Sequence, residues 1–463
     1  MSVAARAQGA SAGADRLPAG AERRLALALG TAMMGDGGVR HVHALCDTIG
    51  RRPAGSPAER LAVEYVLRAM EEAGLRDVHE EPFDTEHWFR GRTVAELTGP
   101  VAREIALLAL PGTLDHDVEA PVVWAPQQTR EEFLAAADVF AGAIVINTSI
   151  PKVGLSGSGG PLHRGERNRL VFEAGAAAFV WVAQRPGHIL PTGSVARDIG
   201  EAMPSFGISL EDATFIERLL ARGDRVTMRI GTRNERRAGT SWNIVGDHGP
   251  SDGPITMLSA HHDSHDVTVG AFDNAAGCAA VLEAARALTT LGSESGRLRV
   301  AIFGAEESGL QGSGRYVERH ADQLDDVRFL FNLDGLGAVP SWKYVHVPMR
   351  ADVVQYIDAV FRRYGFRVEV EEALALNWDH APFALRGVPV ASLTAKWPPG
   401  THLHYGHTSA DTPDKIDGQD MRLTTACTVA LAGHIMLDRT WSLPHLDAET
   451  VAERLKGVER AES

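Results

Sequence analysis

The feature that most limits the fold is an alternation that begins near residue 240. Short apolar runs at Ile255–Ala260, Leu298–Gly304, Phe329–Leu333 and Val388–Leu393 are separated by helical stretches at Ala275–Leu288, Gly312–His320 and Val353–Arg363. This rhythm predicts an α/β fold, with a mostly parallel mixed sheet flanked by helices. In such sheets ligands bind beyond the carboxyl ends of the strands. The residues there are chemically unusual. Ile255–Ala260 runs into His261, His262 and Asp263, and Leu298–Gly304 into Ala305, Glu306 and Glu307. Phe329–Leu333 runs into Asp334, and Val388–Leu393 is followed, after a loop, by His407. Asp273, in GAFDNAAG, adds a carboxylate just before the helix at 275–288.

Taken singly, each residue has an ordinary explanation. A histidine after a strand commonly makes a surface hydrogen bond, adjacent glutamates are usually a solvated pair, and an aspartate before a helix is usually its N-cap. The coincidence of five such residues at strand ends carries the chemical reading. Imidazole and carboxylate without thiolate suit zinc, manganese or cobalt. Three carboxylates and two imidazoles over-supply one tetrahedral ion, whereas two ions sharing a bridging carboxylate use them all. Two ions about 3.5–4 Å apart clamp an attacking water and the oxygen that develops charge.

The remainder of the chain sorts by texture. Ser56, Pro57 and Glu59 predict a capped helix over 56–73, with Glu59 completing a capping box and Gly74 ending it. Val78 to Phe89 reads as extended. Residues 91–235 read as a β-rich insert with one or two helices, the best at Arg167–Ala174, and with a loop at SGSGGP (156–161). The expected organisation is a mobile tail over 1–25, a discontinuous domain over 26–90 and 236–445, the insert over 91–235, and a C-terminal tail over 446–463. A length of 463 residues allows two or three domains.

Composition mainly excludes. Lys and Arg number 46 against 60 Asp and Glu, a net charge of −14, which disfavours a nucleic-acid partner. With 44% apolar and 23% charged residues, the chain is expected to be globular. Three scattered cysteines, Cys46, Cys278 and Cys427, make neither a disulfide framework nor a thiolate zinc site. The N-terminus lacks an apolar core of about 7–15 residues, and no apolar stretch reaches about 18 residues. A cytoplasmic protein without a membrane span is the expectation.

The segments SAHHDS (259–264), GAFDNAAG (270–277), FGAEESGLQGS (303–313), FNLDGLG (331–337), DHAPF (379–383) and HTSADT (407–412) resemble those of the M28 family of metallopeptidases. LCDTIGRRPAGSPAE (45–59), HWFRG (87–91) and DSHDVTVGAFDN (263–274) are similar to segments of the branch that contains carboxypeptidase Q. The resemblance covers nearly the whole chain after residue 40. It implies a zinc-aminopeptidase-like fold with an inserted protease-associated domain, two divalent ions (zinc first, cobalt or manganese next), and hydrolysis of dipeptides or short peptides. It assigns one ion to His261 and Asp334, the other to Glu307 and His407, and the bridge to Asp273. Glu306 becomes the general base, and Asp263 orients the His261 imidazole. A cis peptide between Asp273 and Asn274 is also implied. Asn377, His380, His404 and Tyr405, near the last strand, are candidates for substrate contact. Two other readings stay open: hydrolysis of a non-peptide or N-acyl amino-acid amide on the same site, and a non-catalytic binding protein on the same scaffold. The expected partner is a short peptide or amide, with no nucleic acid and no membrane, and a homodimer is left open.

Overall fold

The computed structural model describes residues 17, 20–148, 162–398, 405–441 and 443–462. The SGSGGP segment, most of the first twenty residues, and His404 lie outside the described residues. The chain divides into two compact units. The first takes the described parts of 1–85, 240–401 and 411–454; the second takes those of 86–239, 402–410 and 455–463.

The first unit is built on an eight-stranded sheet. Its strands are β1 (Arg76–Phe89), β2 (Glu235–His248), β3 (Ile255–His261), β4 (Arg297–Phe303), β5 (Val327–Leu333), β6 (Trp342–Val347), β7 (Glu369–Glu372) and β8 (Val390–Lys396). They lie in the order β1-β2-β4-β3-β5-β8-β6-β7. The four central strands, β4, β3, β5 and β8, are mutually parallel. β2 joins β4, and β6 joins β8, in antiparallel fashion. All seven residues of β3 are buried. A strand covered on both faces reads as a continuous apolar run, which is why the alternation was visible in sequence. The expected class, a mostly parallel mixed sheet flanked by helices, is the one observed.

Helices cover the sheet through small side chains. Ala276–Thr289 carries six alanines among fourteen residues, and nearly all of it is buried. It packs against Gly418–Leu437, which is also buried along most of its length. Ala21–Met34 packs against that second helix in turn. The approach is close at Gly433, where an added Cβ would come within 2.6 Å of Leu25. Helix therefore begins inside the stretch 1–25 read as a tail, because Ala21, Leu25, Ala28 and Ala32 recur at helical spacing and bury one face. Ala448–Glu462 is likewise helical, in the stretch read as a C-terminal tail.

The helix expected after Ser56 spans Pro57–Glu72, and the Ser56 hydroxyl accepts the Glu59 amide at 3.1 Å. The capping box does not form as expected. The Glu59 carboxylate instead accepts the Gly55 amide at 2.5 Å and the Ser241 hydroxyl, which draw it wholly into the interior. Burial, eased by those two donors, raises its pKa from 4.5 to about 8.

The second unit also carries an eight-stranded sheet. Four neighbours, His116–Ala125, Ile144–Asn147, Ala178–Val182 and Ser205–Ile208, are parallel, and the flanking strands pair antiparallel. Alternate residues of Ile144–Asn147 serve opposite faces. Ile144 and Ile146 pack with Ala213, Ile216 and Leu219, whereas Val145 packs with Phe133, Phe140 and Val171. This unit holds more helix than the one or two expected, with five among the described residues, because parallel crossovers need them. Thr129 and Ser209 cap two of these helices. The cysteines are free and buried. Among the described residues, no helix is long and apolar enough to cross a membrane.

The folded state holds the Glu59 proton more tightly than an unfolded chain would. Stability should therefore be fullest below about pH 4.5 and should fall as pH rises toward 8. Glu59→Gln should stay within about 1 kcal/mol of wild type at pH 5, because the amide keeps the shape of the protonated acid. It should also flatten the decline between pH 5 and 8.5 in denaturant titrations. An unaltered slope would contradict the raised pKa.

Candidate metal centre

Strand register decides which residues can meet. β3 lies between β4 and β5, and His261 pairs with Phe303 at the end of the β3–β4 ladder. The chain then leaves each strand at the same edge. After β4, Ala305 turns with φ 53°, a left-handed conformation uncommon for alanine, and delivers Glu306 and Glu307. After β5 comes Asp334, whose amide donates to Leu393 O at 3.1 Å. Asp273 sits in the kinked segment Ala271–Ala275, and the Asp273–Asn274 peptide is cis.

His261 is the centre of the cluster. Its Nε2 lies 3.3 Å from an Asp273 carboxylate oxygen, 3.6 Å from one of Asp334, and 4.0 Å from one of Glu306. His261, Asp273 and Asp334 offer ligand atoms that all lie within 4.8 Å of one another. Ligands at about 2.0–2.2 Å around a tetrahedral ion lie roughly 3.3–3.6 Å apart. The His261 distances fall in that range, and neither of its ring nitrogens makes a regular hydrogen bond. The residues therefore fit a divalent ion.

Electrostatics gives the same result. Burial alone would strip His261 of its charge, but the Glu306 and Asp334 carboxylates overcome it and hold the imidazole well above its usual pKa. Burial pushes Glu306 well above the carboxylate range; His261 opposes the shift, and Glu307, Asp379 and Asp334 reinforce it. Burial likewise raises Asp334 to about 6, and Asp379 and Asp411 to about 7. Four buried acids driven toward their neutral forms leave the surroundings of this donor set short of positive charge, which a bound cation would supply.

Asp263 does more than face the imidazole. Its carboxylate lies 3.4 Å from His261 Nδ1, and it also accepts the Glu306 amide at 3.0 Å and the Glu307 amide at 3.2 Å. One buried aspartate thus spans two of the strand ends. Beside Glu307 stands a residue outside the candidates named from the sequence: His265 Nε2 is 2.9 Å from Glu307 Oε2. The crowding of HHDSHD was its only signal. His262 is structural in its contacts, with Nε2 2.9 Å from Trp242 O.

Arg52 and Asp411 were also missed. The fully buried Arg52 guanidinium donates to the carbonyls of His262, Leu45, Gly50, Val269 and Gly270, at 2.6–3.2 Å. It ties the 45–52 segment to the loop between His261 and Asp273. No periodicity or motif distinguishes it from its neighbour Arg51. Asp411 accepts backbone amides of the Asp273 segment.

His407 belongs to the second unit, has φ 58°, and accepts the Thr192 amide through its carbonyl at 2.8 Å. Tyr405, in the same unit, lies under the Arg185 guanidinium, 3.8 Å from ring centroid to carbon. Asn377 is exposed. His380 is fully buried, 5.1 Å from the His346 ring and alongside Trp378. It stands as the N-cap residue of the short helix Ala381–Ala384.

Comparisons with known proteins bear on the family and the fold. Residues 243–432 match the model of peptidase family M28. The chain is 25% identical over 409 residues to carboxypeptidase Q of Bos taurus, covering 86% of this chain and 85% of that one. Among solved structures, a peptidase M28 precursor from Shewanella amazonensis SB2B superposes with a TM-score of 0.76, at 24% identity, covering 92% of this chain and 99% of its own. A zinc aminopeptidase from Bacillus subtilis superposes at 0.62, also at 24% identity, covering 85% and 94%. These two likenesses bear on the fold. The chain therefore carries a peptidase family M28 domain, and it is a homologue of carboxypeptidase Q.

Proposed function

We propose that this protein is a metal-dependent exopeptidase that hydrolyses dipeptides or short peptides, with Glu306 as general base. The observation that carries the reading is a buried His261–Asp273–Asp334 donor set with a free-standing carboxylate, Glu306, 4.0 Å from the imidazole. The second ion is assigned, by the family resemblance, to Glu307 and His407, with Asp273 as the bridge. Zinc is the first expectation, since imidazole and carboxylate donors suit it, and a structural neighbour described as a zinc aminopeptidase supports it.

Divalent ions held there would supply Lewis acidity toward the scissile carbonyl and would make a water nucleophilic near neutral pH. Glu306 removes the proton from that water and returns it to the leaving amine. Its neighbour Glu307 is committed elsewhere, so the two carboxylates divide the work. Asp263 fixes both by holding their amides, which keeps the base aimed while its carboxylate gains and loses a proton. Burial raises the proton affinity of Glu306, as a group that must return a proton to an amine requires. The inserted unit is read as the protease-associated domain that the resemblance implies.

Glu306→Gln should keep bound metal and lose about 10²–10⁴-fold in kcat. Turnover retained at full metal occupancy would remove Glu306 from the role of base.

Dialysis against a chelator should abolish activity, and zinc, cobalt or manganese should restore it. A panel of dipeptides blocked at the amino end, the carboxy end or both then tests the exopeptidase reading. Free dipeptides should be cleaved and doubly blocked ones should not. Equal cleavage of both sets would exclude an exopeptidase.

A further inference from the structure

The segment that carries Asp273 has a backbone problem. Asp273 (φ −126°, ψ 87°) and Asn274 (φ −140°, ψ 40°) depart from helical geometry just before the helix Ala276–Thr289. Amides in such a kink have no carbonyl four residues back to receive them, yet the segment is interior and each needs a partner. On one side the Asn274 side chain answers part of this need. It donates to Leu333 O at 2.9 Å and accepts the Gly277 amide at 3.0 Å.

On the other side stands Asp411, with no exposed surface. One of its carboxylate oxygens accepts the Phe272 amide at 2.7 Å, and the other accepts the Asp273 amide at 3.1 Å. Asp411 is itself held, because its carbonyl accepts the Thr268 hydroxyl at 2.7 Å. That hydroxyl also receives the Gly270 amide at 3.1 Å. The arrangement parallels Asp263, whose two oxygens take the consecutive amides of Glu306 and Glu307. A carboxylate presents two oxygens in one plane with no hydrogen between them. An amide or hydroxyl side chain at the same place would satisfy one N–H and confront the other.

We infer that Asp411 is the positioning residue for the Asp273 carboxylate. By clamping two successive amides it sets where the Asp273 side chain leaves the backbone, and hence how closely that carboxylate approaches His261 and Asp334. This rests on the proposed metal-dependent function, because the quantity it governs is metal affinity. Partners of this kind typically change metal affinity or activity by about 10–100-fold when removed.

The test compares wild type with Asp411→Asn, Asp411→Glu and Thr268→Val. Zinc dissociation constants are measured by competition with a chromogenic chelator, together with bound-metal stoichiometry and the melting temperature of the metal-free proteins. Asp411→Asn keeps the shape but offers one acceptor, and Asp411→Glu keeps the charge but shifts it. Both should weaken zinc about 10–100-fold. Thr268→Val, which loosens Asp411 without touching its carboxylate, should weaken zinc in the same direction by less. A lowered melting temperature with unchanged zinc affinity would reduce Asp411 to a structural cap and overturn the inference. If the Asp411 variants do not fold, unchanged affinity in Thr268→Val overturns it equally. Wild-type protein without tightly bound zinc would overturn the metal-dependent reading and this inference together. Wild-type binding with indifferent variants would overturn this inference alone.

Discussion

Carboxylates that repel one another in a dry interior are the constraint around which the larger unit is arranged. Asp263, Asp334, Asp379 and Asp411 are buried, and Glu306 nearly so. Burying so many acids together is costly without compensating partners. Two devices offset part of that cost. Asp263 and Asp411 take pairs of backbone amides, which stabilise negative charge without adding a counter-ion. Arg52 supplies a fixed positive charge and spends its hydrogen bonds on carbonyls of the ligand loop. The charge still lacking is what makes the centre a receptor for a divalent cation.

The sheet makes such a concentration feasible. Four parallel strands send their chains out at one edge, so residues 73 positions apart, such as Ser259 and Asn332, become neighbours in the ladder that precedes the ligands. An alanine-rich helix covers the sheet closely enough to exclude water. A low-dielectric surround strengthens each electrostatic interaction within the centre. The scaffold thus fixes both the positions of the donors and the medium in which they act.

What could be read from the sequence follows the same physics. The central strands were legible because burial on both faces leaves unbroken apolar runs, and the clustered His261 and Asp334 were legible because a polar residue directly after such a run stands out. The edges were harder. Helix Ala21–Met34 hides in an alanine-rich stretch of low apolar contrast, and the helices of the second unit are short and interspersed with glycine and proline. Glu59 kept the spacing of a capping box but bonded one residue away, because Ser241, from a distant strand, drew it inward. Arg52, Asp411 and His265 were invisible for a related reason. Their importance lies in backbone groups or side chains that only the folded chain brings near.

The hydrogen bond from Arg52 to His262 joins residues 210 positions apart. On a ribosome that adds about 5–20 residues per second, the guanidinium waits roughly 10–40 s for the His262 carbonyl. Residues 86–239 are made within that interval, so most of the second unit is complete in sequence before the central strands of the first. The order of synthesis therefore places most of one unit ahead of the sheet of the other. The charge at position 52 must remain hydrated until the loop it anchors has been made.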